Sequence, residues 1–375
     1  MMTLFTNPSE CCGCEACKNI CQKNAISMQT DEKGFAYPAI DEAACVSCGA
    51  CQKVCPLKGD RQKPVSQKTY AVKHKVSAER KSSSSGGAFI EMARHIIRNN
   101  GAVYGAAYGK NFQVSHVRAA SEAALEQLKT SKYLQSRIGD VYRQVKDDLK
   151  NGMPVLFSGT GCQVQGLRSY LGRDYPQLYC VDIVCHGVPS QKLFDDYIQY
   201  LEDKYKSKAK SVNFRGKQIK NVVQDMLVTF ENGKTYSCAA TFDSYYMFFI
   251  KNFSLRESCY TCRFSNSERG GDITLADFWK LENQFPEFQD FKGVSLVITN
   301  NERGEQLFAA LKDKFDIIET PKETAFAQQP LQKPFAKPPK SDLFWNTYLH
   351  QGYKACVKKY HSFPKLKHFV RKHLR

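Results

Sequence analysis

Cys11-Cys12-Gly13-Cys14-Glu15-Ala16-Cys17-Lys18-Asn19-Ile20-Cys21 and Cys45-Val46-Ser47-Cys48-Gly49-Ala50-Cys51-Gln52-Lys53-Val54-Cys55-Pro56 carry one spacing, C-x2-C-x2-C-x3-C, twice, 34 residues apart. Nine of the sixteen cysteines lie between Cys11 and Cys55. Sixteen in 375 residues is too sparse for a small secreted disulfide scaffold, so the clustering points to metal. With 42% hydrophobic and 24% charged residues the composition is ordinary for a globular protein. It excludes a disordered or fibrous chain and leaves room for roughly two or three domains. No apolar run approaches the roughly 18 residues of a spanning helix, and Met1 to Glu10 lacks the basic and apolar regions of a signal peptide. A reducing, cytoplasmic setting is expected.

Each run offers four thiolates at the spacing of bacterial two-cluster ferredoxins. The short loops let three successive cysteines wrap three irons, while the fourth, one helical turn on, reaches the other cluster. Cys11, Cys14, Cys17 and Cys55 are therefore expected to hold one 4Fe-4S cluster, and Cys45, Cys48, Cys51 and Cys21 the second. A pair of zinc sites is the alternative, since C-x2-C also binds zinc, but zinc does not account for two complete runs. Gln22 stands where proline usually follows the first run, and Cys12 fits no ligand position and reads as a spare thiol beside the cluster.

Lys58 to Gln67, polar and holding Gly59 and Pro64, reads as a linker. Beyond it strands alternate with helices: a strand at 69–76, a Ser/Gly loop at 82–87, a helix at 88–100, a strand at 102–108, a helix at 138–151 and a strand at 154–158. A tight Gly159-Thr160-Gly161 turn, a helix from Gln163, a strand at 178–185 and a helix opened by Pro189-Ser190 follow. Strands at 211–215 and 225–238, the latter folded at Glu231-Asn232-Gly233 as a type I′ hairpin, predict an antiparallel insertion. A strand at 294–299, a helix at 302–315 and a strand at 316–319 resume the alternation, and five prolines between 320 and 340 suggest an extended surface segment. The expected fold is a ferredoxin-like α+β module, an α/β body with an antiparallel β insertion, and an extended basic C-terminal tail, divided as 1–60, 68–152, 153–320 and 321–375.

Cys162 follows the strand at 154–158 and Cys185 ends the next one, so in a parallel sheet both emerge at the carboxyl edge, where ligands bind. Cys180, five residues before Cys185, faces the other way and reads as core. Cys259-x2-Cys262 could close a four-thiolate site with Cys162 and Cys185; buried thiols beside a lone zinc-like knuckle are the other reading of the spacing. Cys238 and Cys356 read as ordinary thiols.

The strings Gly159-Thr160-Gly161-Cys162-Gln163-Val164-Gln165-Gly166-Leu167-Arg168, Cys185-His186-Gly187-Val188-Pro189-Ser190, Cys259-Tyr260-Thr261-Cys262 and Gly271-Asp272-Ile273-Thr274-Leu275-Ala276-Asp277-Phe278-Trp279 occur in this order. Together they resemble the coenzyme F420 hydrogenase/dehydrogenase beta-subunit family over residues 70–320, with the ferredoxin module in front. The resemblance implies an iron-sulfur flavoprotein oxidoreductase whose α/β body binds FAD. It makes Ser85-Gly86-Gly87 the loop that lets flavin phosphates approach the backbone at a helix N-terminus. Of the segment Thr130 to Ser136, placed beside the flavin, Lys132 would meet phosphate, Tyr133 would line the site, and Gln135 and Ser136 would hydrogen-bond the isoalloxazine. Gly159, Thr160 and Gly161 would approach from the sheet edge. Singly these motifs are weak, and their order gives them weight. A third 4Fe-4S cluster on Cys162, Cys185, Cys259 and Cys262 is implied as well. His186 is either a donor to cluster or flavin or a satisfied loop histidine, and no catalytic side chain is singled out. Ala276 and Lys280 stand where relatives often carry Gly.

The implied activity is an electron relay between a ferredoxin-like one-electron donor and a two-electron organic acceptor, with FAD as converter and either direction open. Coenzyme F420 is the name-giving acceptor; relatives act on chlorophyll-type pigments or belong to polysaccharide gene neighbourhoods, so polysaccharide metabolism is one context. The alternative is a non-autonomous electron-transfer subunit of a larger redox complex. A cluster-based sensor on nucleic acid is a third reading, opposed by the flavin motifs and by the lack of nucleic-acid modules.

Charge bears on partners. The net +17, from 54 Lys+Arg against 37 Asp+Glu, is uneven. Residues 1–60 hold five Lys against seven Asp/Glu, and residues 320–375 hold twelve Lys/Arg against Glu323 and Asp342. An acidic ferredoxin would be steered to the body rather than to the module. The tail, Lys354 to Arg375, is either solvated or a docking arm for a larger complex or an anionic membrane surface.

Overall fold

The computed structural model describes residues 4–59, 64–219, 224–290 and 292–361. In the N-terminal module, helix α1 (Ala16–Ile20) leads into an antiparallel pair, β1 (Ile26–Thr30) and β2 (Ala36–Ile40), and helix α2 (Ala50–Lys53) follows. The body opens with β3 (Lys68–His74), α3 (Ser77–Ser82), α4 (Ala88–Arg98), β4 (Ala102–Tyr108), β5 (Val114–Ala119), α5 (Val141–Lys150), β6 (Val155–Thr160), α6 (Gly161–Leu171), β7 (Leu178–Ile183) and α7 (Gln191–Tyr205). It continues with β8 (Ala209–Asn213), β9 (Asp225–Phe230), β10 (Thr235–Ala239), α8 (Ser244–Ile250), β11 (Ile273–Asp277), β12 (Ser295–Thr299), α9 (Glu302–Ala309), β13 (Phe315–Thr320), α10 (Lys322–Phe326) and α11 (Lys340–Tyr360).

Eight strands form one mixed sheet in the order β13-β3-β12-β11-β7-β6-β4-β5. Its centre, β4, β6, β7 and β11, is parallel, and the flanking strands run antiparallel. Side-chain alternation along β6 shows how both faces are filled. Leu156 joins a core with Ile90, Met92 and Ile96 of α4 and Phe308 of α9, while Val155 and Phe157 point into a second core with Tyr142 of α5 and Val164 and Leu167 of α6. Cys14, Ala16 and Val54 of the module belong to that second core, so α1 packs directly on the body. Strands from 68–152 and 153–320 alternate within this one sheet, so the boundary at 152/153 does not separate two cores.

The antiparallel insertion is present as β10-β9-β8. Within its Glu231–Lys234 loop only Gly233 takes a positive φ (80°), which excludes the expected type I′ turn, since that turn needs two such residues. The expected helix at 302–315 ends at Ala309, and Phe315 already belongs to β13. The expected extended tail is corrected more strongly. Residues 340–360 form α11, broken at Gly352 (φ 77°), and it buries Phe344, Trp345, Tyr348, Tyr353 and Cys356 in an aromatic core with α7, α8 and the insertion. The helix forms because these apolar residues share a face while Lys354, Lys358 and Lys359 stay toward water. Lys365, Lys367, Arg371, Lys372 and Arg375 lie outside the described residues.

Candidate redox site

The carboxyl ends of β4, β6, β7 and β11 open into a cavity of about 320 Å³, the position that a parallel sheet reserves for ligands. β6 and β7 pair in register at Thr160 and Ile183, and so deliver Cys162 and Cys185 to one edge. Cys259 and Cys262, from the loop after α8, line the same cavity. Burial and then its neighbours Cys162 and Cys262 push the Cys185 thiol up to about 12. Cys259 is raised by burial and by Cys185, Cys262 and Cys162. Four thiols that raise one another in this way form a crowded set that becomes anionic only against a strong positive counter-charge, which bound iron supplies. Among the described residues no three His, Cys, Asp or Glu side chains converge as a single metal ion requires. Cys180, fully buried beneath the sheet, stays apart from this set.

The module shows the exchange of fourth ligands that its spacing predicts. Burial, then Cys11, Cys55 and Cys51, push Cys17 up to about 12, which puts Cys55 beside the first run. Cys51 is raised by burial and then by Cys48 and Cys21, which puts Cys21 beside the second. All sixteen cysteines are free of disulfides. Cys12, read as a spare thiol, is hydrogen-bonded to the thiols of both Cys14 and Cys162 and lines the cavity, so it lies between the module's first set and the body's set.

Of the residues assigned to the flavin, Ser85, Gly87, Lys132, Tyr133, Gln135, Ser136, Gly159, Thr160 and Gly161 line the cavity. Gly86 does not: its amide donates to Ser295 Oγ at 2.8 Å, and a Cβ there would lie 2.0 Å from the Val72 carbonyl oxygen. Its lack of a side chain serves the close approach of this loop to β3 and β12. Lys132 donates to the carbonyls of Gln127 (3.0 Å) and Lys129 (2.7 Å), and burial pushes its ammonium down to about 7. The expected flavin-facing hydrogen bonds of Gln135 and Ser136 are replaced by internal ones. The Gln135 amide donates to the Cys12 carbonyl at 3.2 Å and accepts from Arg256 at 2.9 Å, and the Ser136 hydroxyl meets His116 Nδ1 at 2.8 Å. Gly159-Thr160-Gly161 is not a tight turn. Gly159 and Thr160 end β6, and Thr160 caps α6 in a reciprocal box with Gln163.

Several cavity residues carry no sequence signal of their own. His116, on β5, stacks on Phe157 at 5.2 Å, and its Nε2 lies 2.9 Å from the Ser158 carbonyl. Because a carbonyl only accepts, Nε2 carries the proton and Nδ1 accepts from Ser136; burial pushes the ring down to about 4, so it is neutral near pH 7. Arg215 pairs with Asp277 at 2.6 Å and donates to the Tyr133 hydroxyl at 3.2 Å. Arg269 pairs with Asp182 at 3.2 Å and donates to the Ile183 carbonyl, fixing the loop that carries Cys262. Of these, only Asp277 stands inside a quoted motif. His186, left open between two roles, is hydrogen-bonded to Asn252 at 2.6 Å and packed 4.0 Å from the Phe335 ring.

Among the described residues no helix is long and apolar enough to cross a membrane. Residues 152–324 match the family described as the C terminus of the coenzyme F420 hydrogenase/dehydrogenase beta subunit, and residues 10–58 match the 4Fe-4S dicluster domain. No curated protein matches the chain. Among solved structures it is similar to a chain of the F420-reducing NiFe hydrogenase complex from Methanosarcina barkeri, studied by xenon derivatization. Identity is 15% and the TM-score 0.46, over 69% of this chain and 83% of that one. The chain is thus an iron-sulfur redox protein with a 4Fe-4S dicluster domain at residues 10–58, and through residues 152–324 it belongs to the coenzyme F420 hydrogenase/dehydrogenase beta-subunit family.

Proposed function

We propose that the chain is an oxidoreductase that passes electrons between a one-electron protein donor and a two-electron organic acceptor, using the two module clusters, a third 4Fe-4S cluster and FAD. One observation carries this reading. The cavity that takes in Cys162, Cys185, Cys259 and Cys262 also takes in Lys132, Ser85 and the end of β6, and the module's Cys12 opens onto it. A set of thiols and a desolvated lysine in one cavity suit an iron-sulfur cluster beside an anionic cofactor. FAD, when bound, supplies the conversion between single electrons and pairs. Lys132 would offer its ammonium to a phosphate, and Ser85 and Gly87 would let that phosphate approach the backbone before α4. Arg215, Asp277 and Tyr133 hold one wall rigid, and His116, neutral and hydrogen-bonded through both nitrogens, adds no charge to it.

On the module, Cys48 is exposed and Val46 is 60% exposed, so electrons from a redox protein enter beside the second set, while the first set faces the cavity. The acceptor is an organic molecule of the two-electron class, coenzyme F420 being the one suggested by the family. Iron, sulfide and flavin counting on anaerobically purified protein tests the reading: about twelve irons and one FAD per chain are expected for three cubanes, and about eight irons would reject the third. Zinc in place of iron would overturn the whole. Reduced coenzyme F420 that fails to bleach the flavin would remove that acceptor and leave the rest standing.

A further inference from the structure

We infer that Arg256 is a positioning residue for the module. It raises the reduction potential of the cluster on Cys11, Cys14, Cys17 and Cys55 above that of the cluster on Cys45, Cys48, Cys51 and Cys21, so that an electron on the module comes to rest on the side facing the cavity. This rests on the two-cluster reading of the module.

Arg256 is fully buried, and among the described residues no carboxylate pairs with it. Its Nε donates to the Cys11 carbonyl at 2.8 Å, Nη1 to Gln135 at 2.9 Å, and Nη2 to the Ala36 carbonyl at 3.1 Å and to Cys11 Sγ at 3.6 Å. The guanidinium lies over the Tyr37 ring at 4.1 Å. A cation taken out of water needs a counter-charge, and the anionic group within its reach is the Cys11 thiolate. Arg256 also sits at the entry to the Cys259 turn, its carbonyl accepting from Cys259 N at 2.9 Å, so one residue is tied to the module's first set and to the body's set.

Each electron added to a cluster adds negative charge. Burial penalises that charge, and a hydrogen-bonded cation offsets the penalty, more strongly in a low dielectric. Without Arg256 the buried first set would be the harder one to reduce. At the second set Cys48 meets water, Cys21 Sγ accepts from a neutral donor, Ala25 N, at 3.3 Å, and the exposed Lys23 and Lys53 act through screening solvent. The fixed, desolvated charge therefore acts on one set and not on the other.

The test is a mediated potentiometric titration of the full chain, purified anaerobically and followed by electron paramagnetic resonance. The second cluster is identified as the signal that Cys48→Ser alters. Arg256→Gln is expected to lower the first cluster's midpoint by at least 59 mV, a tenfold change for one electron, and to leave the second unchanged. Arg256→Lys, which keeps the charge but loses the fork, is expected to shift the same cluster by less. If the Gln variant loses iron, the Lys variant decides. A downward shift confined to the first cluster supports the proposal; no shift, or equal shifts in both, overturns it. Absence of any 4Fe-4S signal from the unmodified chain would sink the two-cluster reading itself, whereas intact signals with unmoved midpoints would sink only the role of Arg256.

Discussion

The two cysteine runs have one backbone and different neighbours. In each, the residue before the second cysteine and the residue after it are left-handed: Gly13 (φ 67°) and Glu15 (φ 60°) in the first, Ser47 (φ 52°) and Gly49 (φ 72°) in the second. The glycine sits at opposite positions of the pair. At Gly13 a Cβ would lie 2.3 Å from the Gln135 amide nitrogen and 3.0 Å from Arg256, whereas nothing lies within 4 Å of the matching point at Gly49. Glu15 accepts the strain of a left-handed conformation because its buried carboxylate takes the amides of Ile138 and Gly139 at 3.2 and 3.1 Å. The cluster spacing thus dictates the shared conformation, and contact with the body decides which residue adopts it. One run is built to dock and the other to face solvent.

The strongest way to break this contrast is Gly13→Ala against Gly49→Ala. The first adds overpacking of about 1–3 kcal/mol to a left-handed strain of about 1–2 kcal/mol, while the second adds the strain alone. Chemical denaturation of the anaerobic protein should show Gly13→Ala losing at least twice as much stability, and equal losses would mean that the module is not seated on the body as described. A smaller effect is expected from Glu15→Ala, which strands two amides at about 1–3 kcal/mol each, partly returned where water reaches the Gly139 side. The same denaturation series checks it, with Glu42→Ala on the exposed side as a near-silent control. The smallest effect contrasts the module with the cavity. Lys132, pushed down from its ordinary 10.5 to about 7, is neutral in the folded chain between those values while the unfolded chain still holds the proton. Stability without ligand therefore rises with pH across that window, and flavin affinity, which needs the ammonium, falls above pH 7. Fluorescence titration of FAD at several pH values should show this slope in the unmodified chain and its loss in Lys132→Met.

The cysteine spacing was fully legible because thiolates around a cluster obey a short local geometry. The central parallel strands were legible too, through alternation and the loops that end them. Three things were not. Strand β5 carries His116 and Arg118 among its apolar residues, so its period is obscured, yet it pairs with β4 along six residues. Helix α11 follows a proline-rich stretch and reads as a basic tail until its partners in α7 and α8 are known, because the stabilisation comes from tertiary burial rather than from propensity. The third miss was the division of labour within the Thr130 to Ser136 segment. Gln135 and Ser136 are turned to the module and to His116 by contacts with distant parts of the chain or across β5, which no local pattern records.

Phe35, at the tip of the β1–β2 hairpin, meets Trp345 of α11 edge-on at 5.9 Å. This contact joins the first part of the chain to leave a ribosome with nearly the last. The cysteines of the module emerge early, while the ring that helps to seat the module emerges only after the whole body has been made. Iron loading and docking are thereby separated in time: the thiols remain accessible to a cluster donor throughout synthesis, and the long-range closure, slow because of the loop it must span, completes the assembly afterwards.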